Sequence, residues 1–223
     1  MVNLIEEGSK HLESGDFDKA IVAFTEFLKT NDSDPNVICL RGVAYRKAQK
    51  FNATLADFQK FVKLGYMSKY LHHSGGTVCE PTDVPVNKRH LDMLYSHMTL
   101  SDKPYMGSVT APERALDSVK MSEILFGESI ADKTVMTSLI NINSPLTFDD
   151  IMMGAMEVYA QNNQACIVSP FIVGGAMAPV SVAGTLTQVL AEALAGIAYN
   201  QLCNPGAPVI MGAFVSSIDM NSG

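Results

Sequence analysis

The residues best suited to chemistry lie near the ends of predicted strands in the last half of the chain. They are neutral hydrogen-bonding groups, aromatic rings, glycines and one carboxylate, namely Ser108, Asn141, Asn143, Ser144, Ser169, Phe171, Gly174, Gly175, Phe214, Ser216 and Asp219. None is a base of the histidine type and none is a cation. Such a set suits a cationic organic group held against aromatic faces, where a cation–π contact contributes about 0.5–2 kcal/mol. It does not suit a phosphate group.

Several of these residues allow two interpretations. Glu192, the acid of an otherwise apolar predicted helix, either meets a substrate or is hydrogen-bonded within the protein. Asn143 and Ser144 either line a pocket or form a turn that caps the next helix. Phe171 and Phe214 either pack inside the fold or form an aromatic cage. Gly174 and Gly175 permit a tight loop in either case.

Charge is distributed unevenly along the chain. The sequence has 16 Lys and Arg against 23 Asp and Glu, and nucleic acid is not an expected partner because phosphate binding needs clustered cations. Residues 134–223 contain no Lys, Arg or His. An ordinary solvated surface mixes both signs of charge, so this region is expected to be mostly interior or part of something larger.

The cysteines do not predict a metal site. Cys39, Cys79, Cys166 and Cys203 are far apart and form no C-x-x-C pair. A zinc site needs three protein ligands, and no histidine follows His97, so zinc at Cys166 and Cys203 is not expected. This cysteine usage and an acidic start without a signal-peptide layout predict a cytoplasmic protein.

One apolar stretch, residues 171–202, resembles a membrane span in composition. Pro179, Gln188, Glu192 and Asn200 interrupt it, and it has no flanking Lys or Arg. We therefore expect buried structure there and no membrane partner.

Strands and helices are predicted to alternate after residue 86, as in units built around a parallel sheet. Helices are predicted over 86–100, 112–126, 147–161 and 180–202, and strands over 105–109, 135–142, 165–168 and 208–214. A doubly wound sheet and a (β/α)8 TIM barrel both fit this alternation. No strand is followed by a glycine-rich nucleotide-binding turn, which favours the barrel.

Residues 3 to about 64 repeat themselves at a spacing of 34. Gly8 returns as Gly42 and Phe24 as Phe58, and further pairs are Phe17 with Phe51, Ile21 with Leu55, Phe27 with Phe61 and Lys29 with Lys63. This pattern resembles the tetratricopeptide repeat, an all-α helix–turn–helix unit. The resemblance implies a groove for a peptide ligand, with Asn3, Lys10 and Arg41 as lining residues. The alternative is that the helices of the two units only stack on one another to bury their apolar faces, without a peptide ligand. Two units are fewer than such arrays usually need.

Several motifs follow one another in the second half of the chain: Ser101–Pro104, Asn143–Leu146, Gly174–Val180, Ala183–Leu186, Ala191–Gly196, Gln201 and Pro205–Pro208. In this order they resemble the trimethylamine:corrinoid methyltransferase family over about residues 83–223. The family consists of TIM barrels that move a methyl group from a methylated amine to the cobalt of a separate corrinoid protein. The resemblance therefore implies a small methylated amine as substrate and a corrinoid protein as partner, with the corrinoid carried by that partner and not bound directly.

The expected organisation is a tetratricopeptide segment at 1–66, a linker at 67–85 and part of a TIM barrel at 86–223. A complete barrel takes about 250 residues, whereas 103–223 provides 121, enough for about four strands. Part of a barrel leaves strand edges unpaired, so we expect self-association and no turnover by this chain alone. The alternative function is a non-catalytic interaction protein that acts through its repeats.

Overall fold

The computed structural model of the chain describes residues 2–70, 72–73 and 85–218, with only the backbone described at Val2 and Asn3. The chain divides into two compact units. One comprises Met1–Pro85 with Tyr95–Lys103, and the other Val86–Leu94 with Pro104–Gly223. The first is helical and the second combines helices with a parallel sheet, so the expected change from α to α/β character is present. The domain boundaries at 66 and 85 stay predictions.

Four helices form most of the first unit, and consecutive helices pack on one another. They are α1 (Val2–Ser14), α2 (Phe17–Leu28), α3 (Pro35–Lys47) and α4 (Phe51–Met67). Their core consists of Ala20, Ile21, Phe24, Phe27, Leu28, Val37, Ile38 and Ala44. The start of α3 is fixed by Asp34, whose carboxylate accepts hydrogen bonds from two backbone N–H groups of the first turn, while Pro35 occupies the first helical position.

One glycine–phenylalanine contact occurs twice at the sequence spacing of 34. A Cβ atom added at Gly8 would lie 2.5 Å from the Phe24 ring, and one added at Gly42 would lie 2.7 Å from the Phe58 ring. The two helix pairs therefore approach equally closely at matching positions. Their burial differs, because Ile21 is buried beneath α3 whereas its counterpart Leu55 is exposed.

Alanine at Gly8 is expected to lower the free energy of unfolding by about 1–3 kcal/mol, because the fully buried Phe24 ring has no room to move. Alanine at Gly42 should cost less, since Phe58 is partly exposed. Gly65 is the matched control: a Cβ there meets nothing within 4 Å, so alanine should stabilise α4 by up to about 1 kcal/mol. Urea unfolding followed by circular dichroism measures all three. Equal effects at the three positions would contradict the packing argument.

The motif at 101–104 closes the end of α4. The Lys103 Nζ donates to the backbone carbonyls of Gly65 at 3.1 Å and Ser68 at 2.7 Å. The Tyr66 hydroxyl donates to the carboxylate of Asp102 at 3.4 Å. Helix-terminal carbonyls lack partners within their own helix, so these contacts give the motif a structural role in the first unit.

The second unit contains a parallel sheet with the order β1-β2-β3-β4. Its strands are β1 (Tyr105–Met106), β2 (Met136–Ile142), β3 (Ala165–Gly174), β4 (Val209–Met211) and β5 (Phe214–Ser217). Val209 pairs with Cys166 and Phe214 with Phe171. This constant register shows that β4 and β5 are two segments of one strand beside β3, interrupted at Gly212 and Ala213.

Helices α7 (Asp150–Gln161) and α8 (Val182–Cys203) pack on one face of this sheet. Helix α6 (Pro112–Phe126) packs against α7 and is joined to β1 by a hydrogen bond between the hydroxyl groups of Tyr105 and Ser122. Gly196 lets α8 approach closely, since a Cβ there would lie 2.6 Å from Val168. Because side chains alternate along a strand, the register places the following residues on the other side, here called the open face: Met106, Thr137, Leu139, Asn141, Ala165, Ile167, Ser169, Phe171, Val173, Ile210, Phe214 and Ser216. A parallel sheet with helices on one side is compatible with part of a barrel.

Most predicted elements are confirmed, with shifts at their ends. The helices α5 (Val86–Leu100) and α6 have the predicted bounds. Strand β3 continues six residues beyond the predicted end at Val168. Helix α7 begins at Asp150 instead of Thr147, because Thr147 pairs with Asn143 in an antiparallel bridge and Asp149 caps the helix. Among the described helices, α8 is long and apolar enough to cross a membrane, as core helices can also be.

Candidate functional site

The carboxyl ends of β2, β3 and β5 meet at one edge of the sheet, because the strands are parallel. Phe171 and Phe214 are register partners on adjacent strands there. Both rings are about half exposed, at 54% and 51%. Asn141 and Ser216 are exposed on the same open face. The edge therefore offers two neighbouring aromatic rings, an amide and a hydroxyl group, without a charged side chain among them.

A buried carboxylate organises the loop after β2. Glu192 of α8 is 2% exposed. Its Oε2 accepts a hydrogen bond from the Ser144 hydroxyl at 2.5 Å, and its Oε1 accepts from the Leu146 backbone N–H at 2.8 Å and from the Gln188 amide at 2.9 Å. Ser144 and Glu192 are thus brought together as predicted site residues, but both carboxylate oxygens are already bound by protein donors.

Gln188 extends this network to the next loop. Its Nε2 also donates to the Met177 carbonyl at 3.0 Å, in the segment that follows β3. One carboxylate and one amide therefore hold two successive loops at the carboxyl edge. Leu146, with a positive φ of 54°, turns its side chain into solvent, and Asn143 is also exposed. Gln188 was not among the residues predicted from the sequence, although its position one helical turn before Glu192 was a usable signal.

The predicted glycines and Ser169 occupy distinct places. Gly174 is buried, and a Cβ there would lie 2.9 Å from the Thr185 hydroxyl oxygen. Gly175 has a φ of +91°, a backbone conformation that favours glycine. Ser169 belongs to the open face but is buried, with the backbone of Gly212 close beside it. These residues shape the strand ends and the loop, while the exposed surface comes from the phenylalanine pair.

Ser108 is held through its backbone. Its carbonyl accepts a hydrogen bond from the Tyr159 hydroxyl at 2.6 Å. Gly107 makes room for that hydroxyl, since a Cβ there would lie 2.2 Å from it. Burial raises the pKa of Tyr159, so the phenol stays a hydrogen-bond donor. Tyr159 was not singled out from the sequence.

Four further residues were predicted as site residues, namely Asn3, Lys10, Arg41 and Asp219. Asp219 and the side chain of Asn3 lie outside the described residues. Lys10 is exposed on α1. Arg41 donates two hydrogen bonds to the carboxylate of Asp57, at 2.8 and 2.7 Å, and this contact raises the pKa of the guanidinium. Arg41 is therefore bound within the first unit.

A groove of about 410 Å³ lies between α1 and α2, and its described lining includes neither Lys10 nor Arg41. Its lining residues are Leu4, Glu7, His11, Asp18, Lys19, Val22, Ala23 and Glu26. Its apolar side chains are flanked by three acids and by Lys19 and His11. No group of three or more His, Cys, Asp or Glu side chains able to hold a metal ion occurs among the described residues.

The Cys166 thiol is expected to resist modification in the folded protein. Burial raises its pKa to about 11, so very little reactive thiolate exists near neutral pH. The partly exposed Cys39 and Cys203 should react first with iodoacetamide at pH 7.5, as mass spectrometry of digested samples would show. Unfolding in urea should remove the difference. Equal labelling of Cys166 and Cys203 in the folded protein would contradict this expectation.

The chain is similar to proteins of one family. The model of the trimethylamine methyltransferase (MTTB) family matches residues 36–223, a longer region than the motif-bearing 83–223. The chain is 48% identical over 172 residues to a glycine betaine methyltransferase of Desulfitobacterium hafniense, covering 76% of this chain and 36% of that protein. It is 25% identical over 189 residues to a proline betaine:corrinoid methyltransferase of Eubacterium limosum, covering 80% and 38%.

The chain thus spans a little over a third of the length of these curated relatives. Its family match covers most of its own residues, including all of the parallel sheet and the helices that pack on it. The chain belongs to the trimethylamine methyltransferase family.

Proposed function

We propose that the chain is part of a methyltransferase that moves a methyl group from a small methylated amine to a corrinoid protein, and that its sheet is the amino-terminal half of a TIM barrel. The observation that carries the proposal is the half-exposed pair Phe171 and Phe214 at the carboxyl edge. No Lys, Arg or His follows residue 133. Family membership and the names of both relatives support this class of reaction.

The phenylalanine pair would hold the cationic head of the substrate. The ring faces attract a quaternary ammonium group by cation–π contact, each worth about 0.5–2 kcal/mol. Asn143, Ser144 and the Gly174–Gly175 turn would form the rim, with Glu192 holding that rim in place. A betaine carboxylate would need a cation from elsewhere, because residues 134–223 contain none. Asp219 stays a predicted contributor.

Methyl transfer would require this chain mainly to align the substrate with the methyl acceptor, and would need little covalent catalysis by its side chains. The methyl acceptor would be a reduced corrinoid on a separate protein, which supplies the nucleophile. The residues of this chain would bind the amine, orient its methyl group toward that acceptor and exclude water. The uncharged open face is consistent with that task. A cytoplasmic location is part of the same proposal.

Ligand titration tests the proposed ammonium site directly. Glycine betaine, trimethylamine and a neutral tert-butyl isostere are titrated into the chain while methyl resonances are followed by NMR. The cationic ligands should bind weakly, and Phe171→Ala or Phe214→Ala should weaken binding several-fold. Phe126→Ala is the matched control, because this ring is similarly exposed on α6, away from the carboxyl edge. Equal affinity for the neutral isostere would refute the cation–π site.

Turnover is expected to be absent in this chain alone. The described strands provide one side of a site, and transition-state binding needs both substrate and acceptor positioned. Incubation with glycine betaine and a reduced corrinoid protein should give no spectral change of corrinoid methylation. A version extended by the remaining strands should be active. Turnover by the 223-residue chain would show that the assignment of the site to an incomplete barrel is wrong.

A second candidate function is peptide binding by a tetratricopeptide pair in residues 1–66. The repeated contacts of Gly8 with Phe24 and Gly42 with Phe58 favour it. Lys10 is exposed for a ligand, Asn3 stays predicted, and Arg41 would have to leave Asp57. Fluorescence anisotropy with a panel of acidic peptides tests this function. Binding lost in Lys10→Glu but kept in Lys63→Glu would support it, whereas equal binding by both variants would count against it.

A further inference from the structure

The groove between α1 and α2 matches a face of the second helix pair that is already occupied. Positions 34 residues apart correspond, so Leu4 of the groove matches Ile38 and Glu7 matches Arg41. Ile38 is fully buried in one core with side chains of α2. Arg41 donates a hydrogen bond to the hydroxyl group of Thr25, also on α2, at 3.3 Å. The second pair therefore uses this face to bind a helix, namely α2.

In the first pair the corresponding face is open. The groove has a volume of about 410 Å³, and the Val22 side chain on it is 67% exposed. Helices α1 and α2 lie outside residues 36–223, which the family model matches. The groove is therefore not part of the barrel that the proposed function extends by further strands. An apolar groove between two helices is a kind of surface that binds amphipathic helices.

The charges around this face are reversed between the two pairs. In the second pair Lys50 donates to the carboxylate of Asp18 at 2.7 Å, and Lys60 donates to the backbone carbonyl of Asp32 at 2.6 Å. With Arg41, that face carries three cations that contact the first pair. The matching positions of the first pair, 34 residues earlier, are all acidic: Asp16, Glu26 and Glu7. A helix that fits the groove must therefore be basic where α2 is neutral or acidic.

The two acids that line the groove can accept new partners. Glu26 pairs with Lys29 three residues further along the chain, and a carboxylate oxygen of Glu7 lies 3.9 Å from the His11 ring. Both carboxylates are about half exposed. Exposed ion pairs between neighbouring residues contribute little free energy, so a cation from a bound helix can replace them.

We propose that the groove between α1 and α2 binds a basic amphipathic helix of another protein, placed as α2 is placed on α3. Apolar side chains of that helix would lie on Leu4, Val22 and Ala23, and its Lys or Arg side chains would reach Glu7 and Glu26. A second copy of this chain does not fit, because the basic face of its second pair is already packed against its own first pair.

Two synthetic peptides test the proposal on the full 223-residue chain. Each repeats residues 15–31 of this chain, which contain α2, and is held helical by a hydrocarbon staple. One carries Asp18→Lys and Thr25→Lys, and the other keeps both residues. In fluorescence anisotropy at low salt the lysine peptide should bind roughly tenfold more tightly than the unchanged peptide. Salt at about 0.5 M should remove most of this difference.

Charge reversal in the chain locates the binding site. Glu7→Lys with Glu26→Lys should weaken binding of the lysine peptide roughly tenfold and make the unchanged peptide the tighter ligand. Glu6→Lys with Glu13→Lys is the matched control, because these exposed acids of α1 do not line the groove but change the net charge equally. Val22→Ser should weaken binding several-fold. Circular dichroism establishes that all variants are folded.

The proposal fails if the two peptides bind equally, or if the control variant weakens binding as much as the groove variant does. It also fails if Val22→Ser has no effect, because the peptide would then not lie on the apolar floor. A version of the chain extended beyond residue 223 should bind the lysine peptide with the same affinity. Loss of binding in that version would show that a later part of the chain covers the groove, and would overturn the assignment to another protein.

Discussion

Replacing Asp57 by alanine is expected to lower the free energy of unfolding by about 3–5 kcal/mol. Asp57 and Arg41 form a two-pronged ion pair between α3 and α4, and their side chains are only 7% and 17% exposed. Removal of the carboxylate leaves a mostly buried guanidinium that, among the described residues, still donates to the Thr25 hydroxyl at 3.3 Å and lies 5.7 Å from the Tyr45 ring centroid. Urea denaturation gives the change in unfolding free energy.

Two further variants show whether the cost comes from burial of the pair. Asp16→Ala removes an exposed partner of Lys19 and should cost less than about 1 kcal/mol. The double variant Arg41→Met with Asp57→Leu should recover most of the lost stability, because it removes both buried charges together. If Asp57→Ala is no more costly than Asp16→Ala, the pair is solvated in solution and the argument fails.

Alanine at Glu192 is the second change expected to have a large effect. It removes the acceptor for Ser144, Leu146 and Gln188 at once. Hydrogen bonds to charged groups contribute about 1.5–3 kcal/mol each, so a total loss of about 3 kcal/mol or more is expected. The Leu146 amide should also exchange with deuterium much faster, because its only described acceptor is gone.

The control for this variant is Glu157→Ala, which removes an exposed carboxylate from α7. It should change stability by less than about 0.5 kcal/mol and leave exchange at Leu146 unchanged. Glu192→Gln should lie between the two, because the amide keeps one acceptor oxygen. Unchanged exchange at Leu146 in Glu192→Ala would show that the loop after β2 is fixed by other contacts.

Local sequence patterns were sufficient to predict the helices and strands, but not the contacts that these elements make with one another. Helices α5 and α6 were predicted with their observed ends, because apolar spacing and Pro112 mark them in the sequence. The carboxylate of Glu192 is different. Its donors Ser144 and Leu146 lie 48 and 46 residues away, so only the packing of α8 on the sheet brings them together. The sequence alone therefore did not decide whether Glu192 meets a substrate or is hydrogen-bonded within the protein.

Arg41 shows the same limit in the first unit. The type of this residue and its position in the repeat predicted that it binds a peptide. Its observed partner, Asp57, lies 16 residues away along the chain, which differs from the repeat spacing of 34. Phe171 and Phe214 were predicted at strand ends, whereas β3 continues three residues beyond Phe171 and β5 begins at Phe214. Their pairing depends on a strand register that stays the same on both sides of the interruption at Gly212. Residue type and strand position predicted the candidates, whereas register and tertiary contacts decide which of them meet.

The order of strands in the sheet has a consequence for synthesis on the ribosome. Because β1, β2, β3 and β4 are neighbours in the same sequence in which they are translated, each emerging strand finds its partner already in place. The sheet can therefore grow in one direction without waiting for a distant segment or displacing an earlier pair. Domains generally fold as units during synthesis, and this sheet could instead assemble stepwise, one strand and helix at a time, with the growing edge always at the newest strand.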